Sequence, residues 1–407
     1  MSKTKSRTVI GAILALTLIG AACGSSAKTT TGTTGTTAGA GATTSAAGAT
    51  TSAAGATTSA APAQMTKVTL QLQWYFQAQF AGYLAAADQG YYKDAGIDLT
   101  FKEGSVDIVP QKVLADGQAD FALAWVPKAL QTREAGADIV DVAQIFQRSG
   151  TLQVSFKDKN ITTPSDFKGK KIGNWGFGNE FEIFAALTKV GLDPAKDVTL
   201  VQQQFDMKAL LAGDIDAAEA MTYNEYAQVL EAKNPKTGAL YTPADFTAMS
   251  YDQAGVGMLQ DAVWADGKRL ASDTAYQDVT TRFLTASMKG WIYCRDNAQA
   301  CADLVVSKGS KLGKSHQLWQ MNEINKLIWP SPSGIGILDT AAWDRTVQIA
   351  QSAKNLDGKT VLTKAPDKAA YNMTYAQKAV DALKAASGDT TGASFKPVTV
   401  TLNEGGA

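Results

Sequence analysis

The chain has 407 residues, enough for two medium-sized domains with substantial cores. Its 38 Lys and Arg match 38 Asp and Glu, and the N-terminal segment holds three of those cations and no anion, so what remains carries a net charge of −3. No concentrated basic surface is available for nucleic acid, and no apolar run is long enough for a transmembrane helix.

Lys3, Lys5 and Arg7 precede an apolar run over residues 9–19 and then Gly20, Ala21, Ala22 and Cys23. A basic start, a short apolar stretch and small residues predict a secretory signal over residues 1–22. The pattern resembles a bacterial lipoprotein signal, which implies a lipid-modified Cys23 and anchoring to the cell membrane, although Gly20 stands where that box prefers Leu. An ordinary signal peptide with a chance Cys is the alternative, and both export the protein. Residues 24–64 are dominated by Gly, Ala, Ser and Thr, with GATTSAA three times over 41–61, and residues 23–65 predict a flexible tether.

Val68, Leu70 and Leu72 alternate with polar residues as a half-buried strand does. The loop that follows carries Trp74, Tyr75, Phe76, Gln77, Gln79 and Phe80 ahead of a helix stopped by Gly90. A strand end opening onto a helix is where α/β folds place ligands. Residues 97–101 read as a second strand, Pro110 as a first helical position, and 120–124 as a third strand delivering Trp125 and Pro127 to a loop before a helix at 128–135. This rhythm predicts a mostly parallel sheet flanked by helices. Residues 150–156 read as a strand leaving it.

A second unit then starts. A strand at 171–174 opens onto WGFGNE, residues 175–180, then a helix to Val190 and a strand at 198–202. Leu114, Ala115, Gly117, Asp120 and Ala122 recur as Leu211, Ala212, Gly213, Asp216 and Ala218: a helix stop, then a buried strand with Asp at its entry. After the second of these strands come Tyr223, Asn224 and Glu225. Residues 251–259 read as the return crossing, followed by helices at 274–293, 297–307, 316–327 and 340–354. Near the end come a helix at 375–386 and an alternating Val398, Val400, Leu402 strand. Trp264, Trp291, Trp319, Trp329 and Trp343 are assigned to packing.

Two α/β lobes joined by crossings near Phe156 and Tyr251 leave a cleft between them, with hinge closure available. Into it point Trp74, Gln77, Gln79, Phe80 and Trp125 from one lobe, and Trp175, Phe177, Asn179, Glu180, Tyr223 and Asn224 from the other. Aromatic faces with amide groups suit a flat, weakly charged ring, whereas an inorganic anion asks for Arg, Lys or exposed N–H groups. Cys294 and Cys301, left over in an oxidising compartment, predict a disulfide across a helix break. Metal binding is the alternative, but His316, the sole His, has no partner at ligand spacing.

The runs QLQW, FQAQFAGY, GYYKDAGIDL, GQADFALAW, FKGKKIG, AMTYNEY and KGWIYC resemble, in order and spacing, the substrate-binding proteins of the nitrate, sulfonate and taurine type. Over residues 68–357 they resemble more closely that family's branch for thiamine-pyrimidine precursors and riboflavin. The resemblance implies a two-lobed periplasmic-binding-protein fold of type II with mixed sheets, a small-molecule ligand, an ABC permease as partner, and an extracytoplasmic, monomeric protein without cofactor. Its motif positions carry binding roles onto Trp74, Gln77, Gln79, Phe80, Trp125, Trp175, Tyr223 and Asn224. Relatives that take pyrimidine precursors keep an Asn and a His where this chain has Gln79 and Phe80, which favours a riboflavin-type ligand; nitrate, sulfonate or taurine is the alternative. Fungal synthases of the same family use a pyridoxal cofactor and an active-site His, and His316 does not match that position, so no catalysis is expected. The implied organisation is residues 66–156 and 253–362 for lobe 1, 157–252 for lobe 2, and 363–407 as an extension.

Overall fold

A computed structural model describes residues 65–105 and 107–407. The signal, Cys23 and the tether predicted above fall almost wholly outside the described residues. In chain order the first lobe opens with β1 (Thr66–Gln71), α1 (Ala81–Asp88), α2 (Tyr91–Asp94), β2 (Ile97–Lys102), α3 (Pro110–Ala115), β3 (Phe121–Trp125), α4 (Val126–Glu134) and β4 (Ile139–Gln144). Next come β5 (Thr151–Phe156), β6 (Lys171–Asn174), α5 (Phe181–Lys189), β7 (Thr199–Gln202), α6 (Lys208–Ala212), β8 (Ala217–Met221), α7 (Glu225–Leu230) and β9 (Phe246–Ser250). The chain returns through β10 (Asp261–Asp266) to α8 (Gly267–Ser272), α9 (Thr274–Asp296), α10 (Ala298–Ser307), α11 (Lys314–Ile328), α12 (Thr340–Ser352) and α13 (Thr374–Ala385).

Two five-stranded sheets form, ordered β2-β1-β3-β10-β4 and β7-β6-β8-β5-β9. Both are mixed: β10 and β5 run antiparallel to their neighbours, while β1, β2 and β3, like β6, β7 and β8, pair in parallel. The two lobes therefore repeat one plan, and the Gly and Asp repeat marks it. Gly117 and Gly213 both adopt left-handed φ, +70° and +79°, a conformation with no steric cost for Gly. Asp120 accepts the Thr69 N–H at 2.8 Å, midway along β1, and Asp216 accepts the Lys171 N–H at 2.9 Å, at the start of β6, each pinning the neighbouring strand. Each carboxylate also meets a cation, Arg269 at 2.7 Å and Lys159 at 3.1 Å.

Several expectations shift. The strand at residues 151–156 pairs with β8 and β9, so it belongs to the second sheet, and the first crossing is residues 145–150, ahead of the boundary drawn at 156. Strands β4 and β10 were not predicted; both are buried on two faces, so neither alternates. Trp264 accordingly sits on a strand. Trp125 ends β3 and Val126 begins α4, with no loop between. Residues 398–402 alternate but pair with no strand, and α13 packs on α9 and β4 as part of the first lobe.

Helix α1 is apolar all round and lies against the long α9. Their approach depends on glycine: a Cβ on Gly82 would enter the Trp291 ring, and one on Gly290 would meet the Gly82 carbonyl. Cys294 and Cys301 form a disulfide, Cα–Cα 5.5 Å, that ties the end of α9 to α10 across the break at Asn297.

The two crossings, residues 145–150 and 251–260, run side by side. Gln260 stitches them, accepting the Gly150 N–H at 2.8 Å and donating to Thr151 Oγ1 at 2.6 Å. Glu182, buried on α5, accepts from Ser149 on one crossing at 3.1 Å and from the Met258 N–H on the other at 2.6 Å. A third link lies elsewhere: the C-terminal segment donates from Val398 to Asn322 and from Asn403 to Ser315 on α11, then reaches the end of α7, where Gly405 N–H meets the Glu231 carbonyl and Glu404 pairs with Lys233 at 2.6 Å.

Candidate functional site

Strand β1 ends where the aromatic loop begins, and the loop is held by a residue far along the chain. Asp261, first on β10 and 3% exposed, accepts from Gln73 Nε2 at 2.5 Å and Trp125 Nε1 at 2.8 Å on one oxygen, and from Gln79 Nε2 at 2.9 Å on the other. Gln79 in turn accepts from Gln77 at 2.6 Å. From behind, the Ala78 N–H donates to Gln317 and Gln320 of α11. Burial pushes the Asp261 carboxyl up to about 6, against the opposing pull of these three donors and of Lys128.

The opposite wall comes from the second lobe. Residues Gly176, Phe177 and Gly178 all adopt left-handed φ (72°, 56° and 87°), which the two glycines accommodate freely and Phe177 does not. This turn leaves Phe177 exposed at the rim and sets Trp175 into the wall. The Trp175 N–H donates to Glu219 at 2.9 Å, a carboxyl on β8 whose burial holds it well above the usual range. Phe205 bridges the walls: its ring centroid lies 4.2 Å from Trp74 of the first lobe and 5.6 Å from Trp175, stacked nearly parallel to the latter at 6°. Lys128 of α4 also crosses, donating to Asn179 Oδ1 at 3.2 Å. Burial lowers its ammonium, opposed by the charges of Glu180, Asp261 and Glu219.

These groups enclose about 740 Å³ of space, part of it open to solvent. Nine predicted residues line it together: Trp74, Gln77, Gln79, Trp125, Trp175, Phe177, Asn179, Tyr223 and Asn224. Two do not. Phe80 closes the short turn before α1 with its ring in the core of the first lobe, fully buried, so it stacks on no ligand. Glu180 turns its carboxylate back onto the Gly178 N–H at 2.9 Å, behind the wall. Sequence reasoning missed Lys128, Phe205 and Glu225, which line the space, and Asp261, which organises it. Lys128 looks like any helical surface residue, and Phe205 stands alone in QQQFDM.

His316 is enclosed between Glu231 (2.8 Å) and Asn224 (2.9 Å), so it touches the wall from behind without lining it. Among the described residues no group of three or more His, Cys, Asp and Glu is placed to hold a metal ion.

The family described as NMT1/THI5 like matches residues 77–300, more than half of the chain, from the glutamine of the binding loop to the edge of the disulfide. The chain belongs to this family. Among similar proteins, the riboflavin-binding protein RibY of Chloroflexus aurantiacus is 26% identical over 71% of this chain and 81% of its own. A 4-amino-5-hydroxymethyl-2-methylpyrimidine phosphate synthase of Saccharomyces cerevisiae is 26% identical over 37% of this chain and 45% of its own. Among solved structures, the alkanesulfonate-binding protein SsuA of Xanthomonas axonopodis pv. citri aligns with a TM-score of 0.51 at 14% identity, covering 71% of this chain and 93% of that one. The fold is thus that of the periplasmic binding proteins, two mixed sheets flanked by helices.

Proposed function

We propose that this protein is an extracytoplasmic solute-binding lipoprotein of an ABC importer, which captures a flat heteroaromatic vitamin or vitamin precursor, riboflavin or a thiamine pyrimidine, between two closing lobes. One observation carries the reading: an aromatic ring, that of Phe205, already lies against tryptophans from opposite walls, Trp74 and Trp175. A planar ligand gains from the same faces, at about 0.5–1.5 kcal/mol per aromatic contact beyond area burial. The paired crossings supply a hinge, and the family includes a riboflavin-binding relative. Export, the lipid at Cys23 and the monomeric state rest on the sequence and on the habits of such importers.

The synthase alternative asks for a reactive His against the ligand. His316 is the chain's single His and lies behind Asn224, tied at both nitrogens. Titrating the full chain in detergent with riboflavin, thiamine-pyrimidine precursors, taurine and nitrate, followed by Trp fluorescence, tests the reading. Quenching by the flat rings is expected; saturable binding of taurine or nitrate alone would refute it.

A further inference from the structure

With the cleft taken as the ligand site, as proposed above, we infer that the ring bound there carries exocyclic carbonyl groups, of the cyclic amide or imide type, and that Lys128 donates to one of them. The hydrogen-bonding groups of the wall are unequal in supply. On the donor side, the Lys128 ammonium has three N–H groups and one protein acceptor, Asn179 at 3.2 Å. Trp175 is 3% exposed and its Nε1 has no partner. A buried donor left without an acceptor costs about 1–3 kcal/mol, so each favours a ligand that brings one.

The carboxylates are already occupied. Asp261 receives Gln73, Trp125 and Gln79, and Glu225 receives the Met221 N–H at 2.9 Å and Asn224 Nδ2 at 2.7 Å. An exocyclic amine finds no free carboxylate here and only side-chain amide oxygens such as those of Gln73 and Gln77, whereas a carbonyl meets the charged Lys128 donor. A sulfonate or carboxylate is disfavoured for a different reason: the carboxyls of Glu180, Asp261 and Glu219 lie near Lys128, and no Arg lines the space. A neutral carbonyl accepts from the ammonium without adding charge. The amide groups of Gln73 and Gln77, which also line the space, can take an imide N–H between two such carbonyls.

The test uses the full chain in detergent and three probes: lumichrome, a flat tricyclic ring with two exocyclic carbonyls; 4-amino-5-hydroxymethyl-2-methylpyrimidine; and taurine. By calorimetry and Trp fluorescence, lumichrome is expected to bind at least tenfold more tightly than the aminopyrimidine. Lys128→Met is expected to weaken lumichrome by about 10- to 100-fold, the range for one hydrogen bond to a charged group, and to leave the aminopyrimidine within a few-fold. Lys128→Gln, which keeps an N–H donor, should recover part of the loss. Infrared difference spectra of bound lumichrome give a readout independent of folding: a carbonyl stretch lowered in the native protein and restored in Lys128→Met. Unchanged lumichrome affinity and carbonyl frequency in Lys128→Met, or tighter binding of the aminopyrimidine, would overturn the carbonyl assignment and leave the aromatic cleft standing. Binding of taurine alone would remove both.

Discussion

Replacing Asp261 with Asn separates what the cleft costs in stability from what it does for the ligand. The native carboxyl rises from 3.8 to about 6 because it is buried, so keeping it ionised in the folded state costs about 3 kcal/mol at ~1.4 kcal/mol per pH unit. Asn carries no such cost. Its Oδ1 can still accept from Gln73 and Trp125, but its Nδ2 then faces Gln79 Nε2 across 2.9 Å, donor against donor. Gln79 has to turn its amide and surrender Gln77, and both line the cleft. Where the turned amides no longer face the ligand, one lost neutral hydrogen bond, about 0.5–1.5 kcal/mol, weakens a ligand that uses them by about 2- to 10-fold. The variant should therefore melt no lower than the native protein at pH 8 while binding riboflavin less tightly. The stability difference should shrink as pH falls through 6 toward 4, where the folded carboxyl is protonated and the unfolded one, with its ordinary value of 3.8, begins to be. Melting curves between pH 4 and 8, paired with fluorescence titrations, read both quantities. Native-like affinity in Asp261→Asn, or a stability loss of several kcal/mol at pH 8, would refute the reasoning.

Other perturbations separate further contacts. In Phe205→Ala the ring between Trp74 and Trp175 is gone, and since a ligand no longer has to displace it, affinity should rise about 2- to 10-fold by calorimetry; a comparable loss would make Phe205 a wall on which the ligand stacks. Burial raises the carboxyls of Glu182 and Glu225 to about 7 and that of Asp141 to about 8. They keep protons in the folded chain that the unfolded chain has released, so stability is greatest below about pH 4 for these groups and falls as pH rises through 8, a loss that chemical denaturation should show and Glu182→Gln should reduce; a rise over this range would contradict it. In Gly82→Val the new methyls enter Trp291, and overpacking should cost about 1–3 kcal/mol or more in a urea titration, whereas an unchanged midpoint would mean that α1 and α9 can move apart freely.

Much of the fold was readable wherever the signal is local. The helices after residue 274 recur at three or four, two of them capped by Asp273 and Asp339, and they fall within a few residues of their expected ends. The glycine stops and entry aspartates of the two lobes mark the same places in both. What escaped depends on distant partners. In IVDVAQ and DAVWAD, acidic residues interrupt apolar runs that are buried on both faces, so neither period two nor period 3.6 appears. Asp261 meets Gln79 at a separation of 182 positions, a pairing no local pattern encodes. Phe80 misled for the converse reason: its neighbours Trp74 and Gln77 line the cleft, while the turn at residues 78–80 rotates its own ring into the core. Val398, Val400 and Leu402 carry strand periodicity without a strand to pair with.

The segment that runs from Val398 over α11 to the end of α7 bears on kinetics. It joins the lobes at a point away from the two crossings, and His316 links its landing site at Glu231 to Asn224 in the cleft wall. Part of the free energy that holds the lobes together thus comes from the chain itself before any ligand arrives. If ligand entry requires these contacts to part, measured affinity is the intrinsic affinity scaled by the fraction of molecules in which they have parted. Binding should saturate in rate as ligand concentration rises, and deleting residues 403–407 should speed entry and exit together.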